Sequence, residues 1–164
     1  MLKKLFMLIV AGFFLASCAA TNTEQGGDVD AASASTSSSS GGEIKAGTQE
    51  DLIVNVGDRV FFEFDSSELT VDAQATLDAQ AAWLMQYPDT NITVEGHADE
   101  RGTREYNLAL GDKRAFSVYS YLAQAGIDTN RMEYVSWGKE RPEVIGSDET
   151  AYSQNRRGVT LVSN

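Results

Sequence analysis

Between Ala19 and Gln49 the chain carries Ser, Thr, Ala and Gly where a folding segment would carry large apolar side chains. The run SASTSSSSGG at Ser33–Gly42 is its extreme. Such a composition cannot bury enough surface to offset the entropy lost on ordering. Whatever folds must therefore come from residues 51–164, enough for one ordinary domain. A flexible stretch of about thirty residues has a root-mean-square span on the order of 30 Å and an extended reach of roughly 100 Å. Residues 18–50 are expected to act as a leash.

The segment before it, residues 1–17, reads as an export leader. Lys3 and Lys4 precede the short apolar run Leu5–Leu15, which is too short to span a bilayer comfortably and is followed by small residues. The leader ends in Leu15-Ala16-Ser17-Cys18. An aliphatic residue, two small ones and a cysteine resemble the lipobox of bacterial lipoproteins, which implies cleavage before Cys18 and acylation of Cys18. As the only cysteine, Cys18 can form no intrachain disulfide, and lipidation explains its presence. More than one acyl chain is needed for a lasting anchor, and the resemblance implies three. In such lipoproteins an Asp after the cysteine favours the inner membrane, so Ala19 implies the outer one. Without the leader's two lysines, 11 Lys and Arg face 24 Asp and Glu, a net charge of about −13. That balance repels nucleic acid and anionic head groups.

Past Asp51 the hydrophobic pattern alternates between strand and helix periods. Arg59–Phe64 reads as a strand with Val60, Phe62 and Phe64 on one face. A helix is expected over Val71–Tyr87, capped by Thr70, stopped by Pro88, with Leu77, Ala81 and Leu84 inward. Asn91–Gly96 is a second strand. Thr103 caps a second helix, whose seam is Leu108, Gly111, Ala115, Val118 and Leu122, ended by Gly126. Gly111 costs that helix about 1 kcal/mol relative to alanine, which a close approach of helix to sheet would justify. Arg131–Trp137 reads as a strand, Asp148–Arg156 as a short helix and Gly158–Val162 as a last strand. The fold class is α/β: a two-layer sandwich, β-α-β-α-β-(α)-β, with helices packed on a small mixed sheet.

Chemistry concentrates in GHADERGTREYN, Gly96–Asn107. A zinc site wants several His or Cys ligands, but His97 is the only histidine and Cys18 is used, so no metal is expected. Arginines stand where a calcium loop needs oxygens. No serine-nucleophile elbow accompanies His97, and no cofactor is implied. Charge complementarity fits better. Asp65 and Asp99 each follow the carboxyl end of a strand, where α/β sheets bind ligands. Asn107 and Arg114 share a helix face, and Thr103 places backbone N–H groups at the helix start. Together they offer acceptors for an ammonium and donors for a carboxylate, as a small zwitterion requires. Each also has a plain structural reading: a turn aspartate, a loop cap, a salt-bridged helix arginine. Arg156 and Arg157 are expected to pair with sheet-edge carboxylates, outside this group.

Six motifs stand in order: Phe62–Ser67, Glu95–Gly102, Tyr106–Gly111, Lys113–Ala115, Gly138–Pro142 and Asn155–Arg157. They resemble the OmpA-like peptidoglycan-binding domain, over about Ile53–Val162. With the lipobox and leash, the chain resembles the peptidoglycan-associated lipoproteins. The resemblance implies the fold of an OmpA-like C-terminal domain over 51–164. It implies non-covalent binding of the diaminopimelate of peptidoglycan stem peptides, a periplasmic domain tethered to the outer membrane, and no enzyme activity. Partnership with TolB and TolA in the Tol–Pal system is implied as well. Asp99 and Arg114 would hold the ligand, with Asp65, Asn107 and Leu108 lining the pocket. Charge suggests Asp99 for the ammonium and Arg114 for the carboxylate. Backbone N–H groups near Asp65 and Ala98 are the alternative carboxylate donors. Glu63, Trp137 and Gly158 depart from the usual Asp, Tyr and Ala, and Gly158 weakens the last strand.

Overall fold

The computed structural model describes residues 44–163. The leader, Cys18 and most of the Ser/Gly-rich leash lie outside the described residues. A short helix that the sequence pattern leaves unassigned comes first, α1 at Gln49–Asn55 with Thr48 as its cap. Its Asp51 carboxylate accepts the Gly47 N–H, Asn55 Nδ2 and the indole N–H of Trp83. Those bonds tie α1 to the next helix and place Leu52 in the core.

Strand β1 covers only Arg59–Phe61. Val60 and Phe62 face the core as expected, but Phe64 is exposed. The ladder ends where the Phe62 N–H donates to Arg156 O, and Asp65 turns the chain with φ 54°. Beyond that point the alternation of a strand no longer governs which way a side chain faces. Helix α2 runs Val71–Gln86 with Thr70 capping the Ala73 N–H, and buries Leu77, Ala81 and Leu84. Its far end is held by Arg131, which donates to the carbonyls of Leu84, Tyr87 and Thr90. Then come β2 (Ile92–His97), α3 (Arg104–Gln124), β3 (Met132–Gly138), α4 (Glu149–Asn155) and β4 (Arg157–Val162). Gly126, at φ 100°, ends α3 as a left-handed glycine.

The sheet order is β1-β4-β2-β3. β4 is antiparallel to both neighbours, and β2–α3–β3 is a parallel crossover. The sheet is therefore mixed, and α2 and α3 cover one face of it. Gly158 lies mid-sheet on β4, pointing at Val118 of α3 and at Val60 and Phe62. A strand flanked on both sides needs no strong intrinsic propensity. Val94, Leu77, Leu84, Ala115, Val118 and Leu122 form the apolar centre. Helix α3 lies unusually close to β2. A Cβ on Gly96 would collide with Gly111 O and lie 2.8 Å from Gly111 C and 2.9 Å from Ala115 N. The glycine within α3 thus buys contact with the sheet.

Candidate functional site

Three loops meet where β1 and β2 end and α3 begins. They enclose a cavity of about 200 Å³ lined by Asp65, Asp99, Arg101, Asn107 and Arg114, with Phe64, Gly102, Tyr106 and Leu110. The parallel crossover puts the β2 terminus beside the start of α3, so Asp99 and Asn107 face one space. The β1 exit brings Asp65 across, because Arg114 seizes that loop.

Arg114 is fully buried. Its Nε donates to Ser66 O at 2.8 Å, Nη1 to His97 O at 2.8 Å and Nη2 to Glu63 O at 3.1 Å. Three of its five N–H groups are thus spent on backbone, and two remain. Burial brings its pKa down to about 10, against the opposing pull of Asp99, so it stays charged at neutral pH. The sequence cast Arg114 as a carboxylate ligand; the fold also makes it the clamp that holds the β1 exit to α3.

Asp99 is buried, and three bonds from Arg101 converge on it. The Arg101 N–H and Nε donate to Oδ1 at 3.1 and 3.3 Å, and Nη2 donates to Oδ2 at 2.7 Å. Arg156 adds a second cation, its Nη1 3.5 Å from Asp99 Oδ2 and 2.7 Å from Glu149 Oε1. Burial pushes the Asp99 carboxyl up, but the hydrogen bonds and charge of Arg101 outweigh it and hold the group below the usual carboxylate range. Asp65 is exposed, and its carboxylate accepts the Tyr106 hydroxyl. Asn107 is buried and donates to Arg101 O at 2.9 Å.

Of the expected residues, Asp65, Asp99, Asn107 and Arg114 line the cavity, whereas Ala98, Thr103 and Leu108 do not. Ala98 is buried, and its N–H already donates to Gly138 O at 2.7 Å. Thr103 caps α3 by accepting the Tyr106 N–H. Leu108 points outward because it is one residue, about 100° of turn, from Asn107. Leu110, three residues from Asn107 and four from Arg114, takes the inward place. Arg101, Tyr106, Leu110 and Arg156 go beyond the sequence reading. The two-residue spacing of Asp99 and Arg101 was the available signal for Arg101. Arg156 could not be placed without the strand order: β4 is central, so its first residues meet the β2 terminus rather than a sheet edge. Arg157 does pair as expected, with Glu143 at 3.4 Å.

Residues 61–156 match the OmpA family. The chain is 55% identical over 121 residues to a peptidoglycan-associated lipoprotein of Rhizobium meliloti, covering 74% of this chain and 69% of that one. It is 46% identical to one from Mesorhizobium japonicum, over 94% of this chain and 89% of the relative. The crystal structure of the peptidoglycan-associated lipoprotein from Burkholderia pseudomallei superposes with a TM-score of 0.63 at 43% identity, covering 65% of this chain and 90% of that one. The chain belongs to the OmpA family, among the peptidoglycan-associated lipoproteins.

In this OmpA-family domain the lone histidine stands apart from the cavity. His97 is buried, and its ring nitrogens find no hydrogen-bond partner among the described residues, although Nε2 lies 3.3 Å from Glu95 Oε2. Burial first, then the Arg157 charge, pushes its pKa down to about 4. The ring is a neutral packing group, and the His97 contribution to the site is its carbonyl on Arg114. Among the described residues, no group of three or more His, Cys, Asp and Glu side chains is placed to hold a metal ion.

Proposed function

We propose that this domain binds peptidoglycan non-covalently, at the zwitterionic end of diaminopimelate in the stem peptide, and tethers the outer membrane to the cell wall. The carrying observation is the charge balance of one small cavity. Of its lining residues, Asp65 and Asp99 are matched by Arg101 and Arg114, while Arg156, itself paired with Glu149, backs Asp99 from outside the cavity. A net-neutral ligand bearing both charges exchanges these partners without leaving a buried charge uncompensated. Asp99 and Asp65 supply acceptors for the ammonium. The two unspent N–H groups of Arg114 supply donors for the carboxylate.

Acylation at Cys18 anchors the chain in the outer membrane, the leash that precedes α1 spans the gap, and the folded domain holds the wall from the periplasmic side. Binding suffices for this role and no catalysis enters it. TolB and TolA are the protein partners, in the Tol–Pal system that supports envelope integrity and division. The names of the relatives and the charge-matched cavity support this reading. The test is a pulldown on purified wall sacculi with Asp99→Ala and Arg114→Ala, with free meso-diaminopimelate as competitor. Binding should fall at least tenfold in each variant that still folds. Wild-type affinity in both would remove the site.

A further inference from the structure

Asp99 enters the cavity already occupied. Arg101 covers it with a fork and a backbone N–H, the shortest contact being 2.7 Å. The guanidinium is itself sandwiched, 4.1 Å from the centre of the Phe64 ring and 4.3 Å from that of Tyr152, with Nη1 3.5 Å from Glu149. A ligand ammonium aimed at Asp99 therefore meets a protein cation that holds the same oxygens.

The two cations on Asp99 are not equivalent. The Arg156 side chain is 7% exposed and anchored by Nε on Phe62 O, whereas the Arg101 side chain is 35% exposed. Of the groups that hold Arg101 in place, Phe64 and Glu149 are themselves at the surface and Tyr152 is half-buried. Arg101 can therefore leave while Arg156 keeps Asp99 paired. Its backbone stays two residues from Asp99, so a released head remains at the cavity mouth beside whatever has displaced it.

We propose that Arg101 is a displaceable plug that makes the cavity selective for a zwitterion, an inference that rests on the cavity being the diaminopimelate site. An ammonium alone takes Asp99 but strands the Arg101 charge. A carboxylate alone reaches the free N–H groups of Arg114 but finds Arg101 engaged on Asp99, and it adds a negative charge that no released cation matches. A ligand with both groups on one carbon places its ammonium on Asp99 and its carboxylate between Arg114 and the released guanidinium, and every charge is paired again. Arg101 acts here as a specificity-determining residue.

The experiment uses the full chain bound to sacculi and three competitors: meso-diaminopimelate, 1,5-diaminopentane, which keeps the amines alone, and pimelate, which keeps the acids alone. In the wild type, diaminopimelate should compete at least tenfold better than either. In Arg101→Gln, Asp99 is open to any amine, so diaminopentane should gain and the preference should shrink about tenfold. An unchanged preference, with wall binding retained, overturns the plug and leaves the binding site standing. Failure of the wild type to bind sacculi overturns the site and the plug together. A second measurement needs no variant. The Arg101 Nε–H signal of arginine-labelled protein should shift and exchange faster with diaminopimelate and stay put with pimelate. A signal unmoved at saturating diaminopimelate refutes displacement.

Discussion

Replacing Gly96 with alanine puts a methyl group where the backbone of α3 already runs. The new Cβ would collide with Gly111 O and lie 2.8 Å from Gly111 C and 2.9 Å from Ala115 N. All three are main-chain atoms, so no rotamer change relieves the overlap, and the helix must retreat by more than roughly 1 Å to reach ordinary contact. A gap of that size forfeits about half or more of the dispersion energy along the seam through which Ala115 and Val118 join the core. Overpacking typically costs 1–3 kcal/mol, and a backbone-on-backbone clash belongs at or above the top of that range. About 3 kcal/mol or more is expected, a large part of the 5–15 kcal/mol that holds a domain together. The same retreat pulls Arg114 away from His97 O and Ser66 O, so wall binding should weaken even in folded protein. Gly111→Ala is the graded comparison. Its Cβ also meets main chain, Gly96 O at 2.8 Å, besides the Ser136 hydroxyl, but the backbone overlap is smaller and about 1 kcal/mol of helix propensity is recovered, so it should lose stability by less. Urea unfolding measures both. A Gly96→Ala midpoint within 1 kcal/mol of wild type, or a Gly111→Ala variant that is the less stable of the two, refutes the close-contact account.

Three further outcomes are expected. With the His97 pKa lowered from 6.5 to about 4, the unfolded chain takes up a proton that the folded one refuses. The His97 contribution to stability is therefore complete above pH 6.5 and is lost as pH falls toward 4, about 2 kcal/mol of it by pH 5. His97→Asn should remove that part of the drop between pH 7 and 5 in urea midpoints, and equal drops in both proteins would sink the assignment. Arg131→Ala strips the donors from the Leu84, Tyr87 and Thr90 carbonyls, for a loss of about 2–3 kcal/mol in thermal or urea unfolding; a change below 0.5 kcal/mol would show those carbonyls rehydrated at no cost. Cys18→Ser should move the protein from the membrane to the soluble periplasmic fraction, and a variant that still sediments with membranes contradicts the lipid tether.

Local signals carried most of the fold. Thr70, Thr103 and Gly126 marked helix ends because caps and left-handed glycines act within a few residues. The inward faces of α2 and α3 followed from helix period. Misreadings fell where a local rule outran its element. Alternation puts Phe64 inward past the end of β1, and the α3 seam, right at Gly111, Ala115, Val118 and Leu122, misses at Leu108 because the buried face steps back four residues from Gly111 to Asn107. Helix α1 carries no helical signal because it is seven residues long, its apolar residues Leu52, Ile53 and Val54 are consecutive rather than helically spaced, and it is held by Asp51 bonds to Gly47 and Trp83, the latter 32 residues away. In the cavity, Asp65 and Asp99 were legible from residue type and position after strands, and Asn107 and Arg114 from their shared helix face. Their partners were not. That Asp99 is shared between Arg101 and Arg156 depends on β4 being central, a property of strand order rather than of any local stretch.

That strand order also sets when the domain can form. β4 is the last of these elements along the chain, yet it lies between β1 and β2 and, among the described residues, is the only strand that pairs with β1. Until it arrives, the first strand has no ladder, and Arg156 has neither the Phe62 carbonyl nor Asp99 to hold. A chain threaded through a translocation pore amino-terminus first would stay pliable for most of its passage, then lock when its final segment emerged. In such a passage the delay would keep the polypeptide narrow enough to be moved, and the charged cavity would assemble only on the far side.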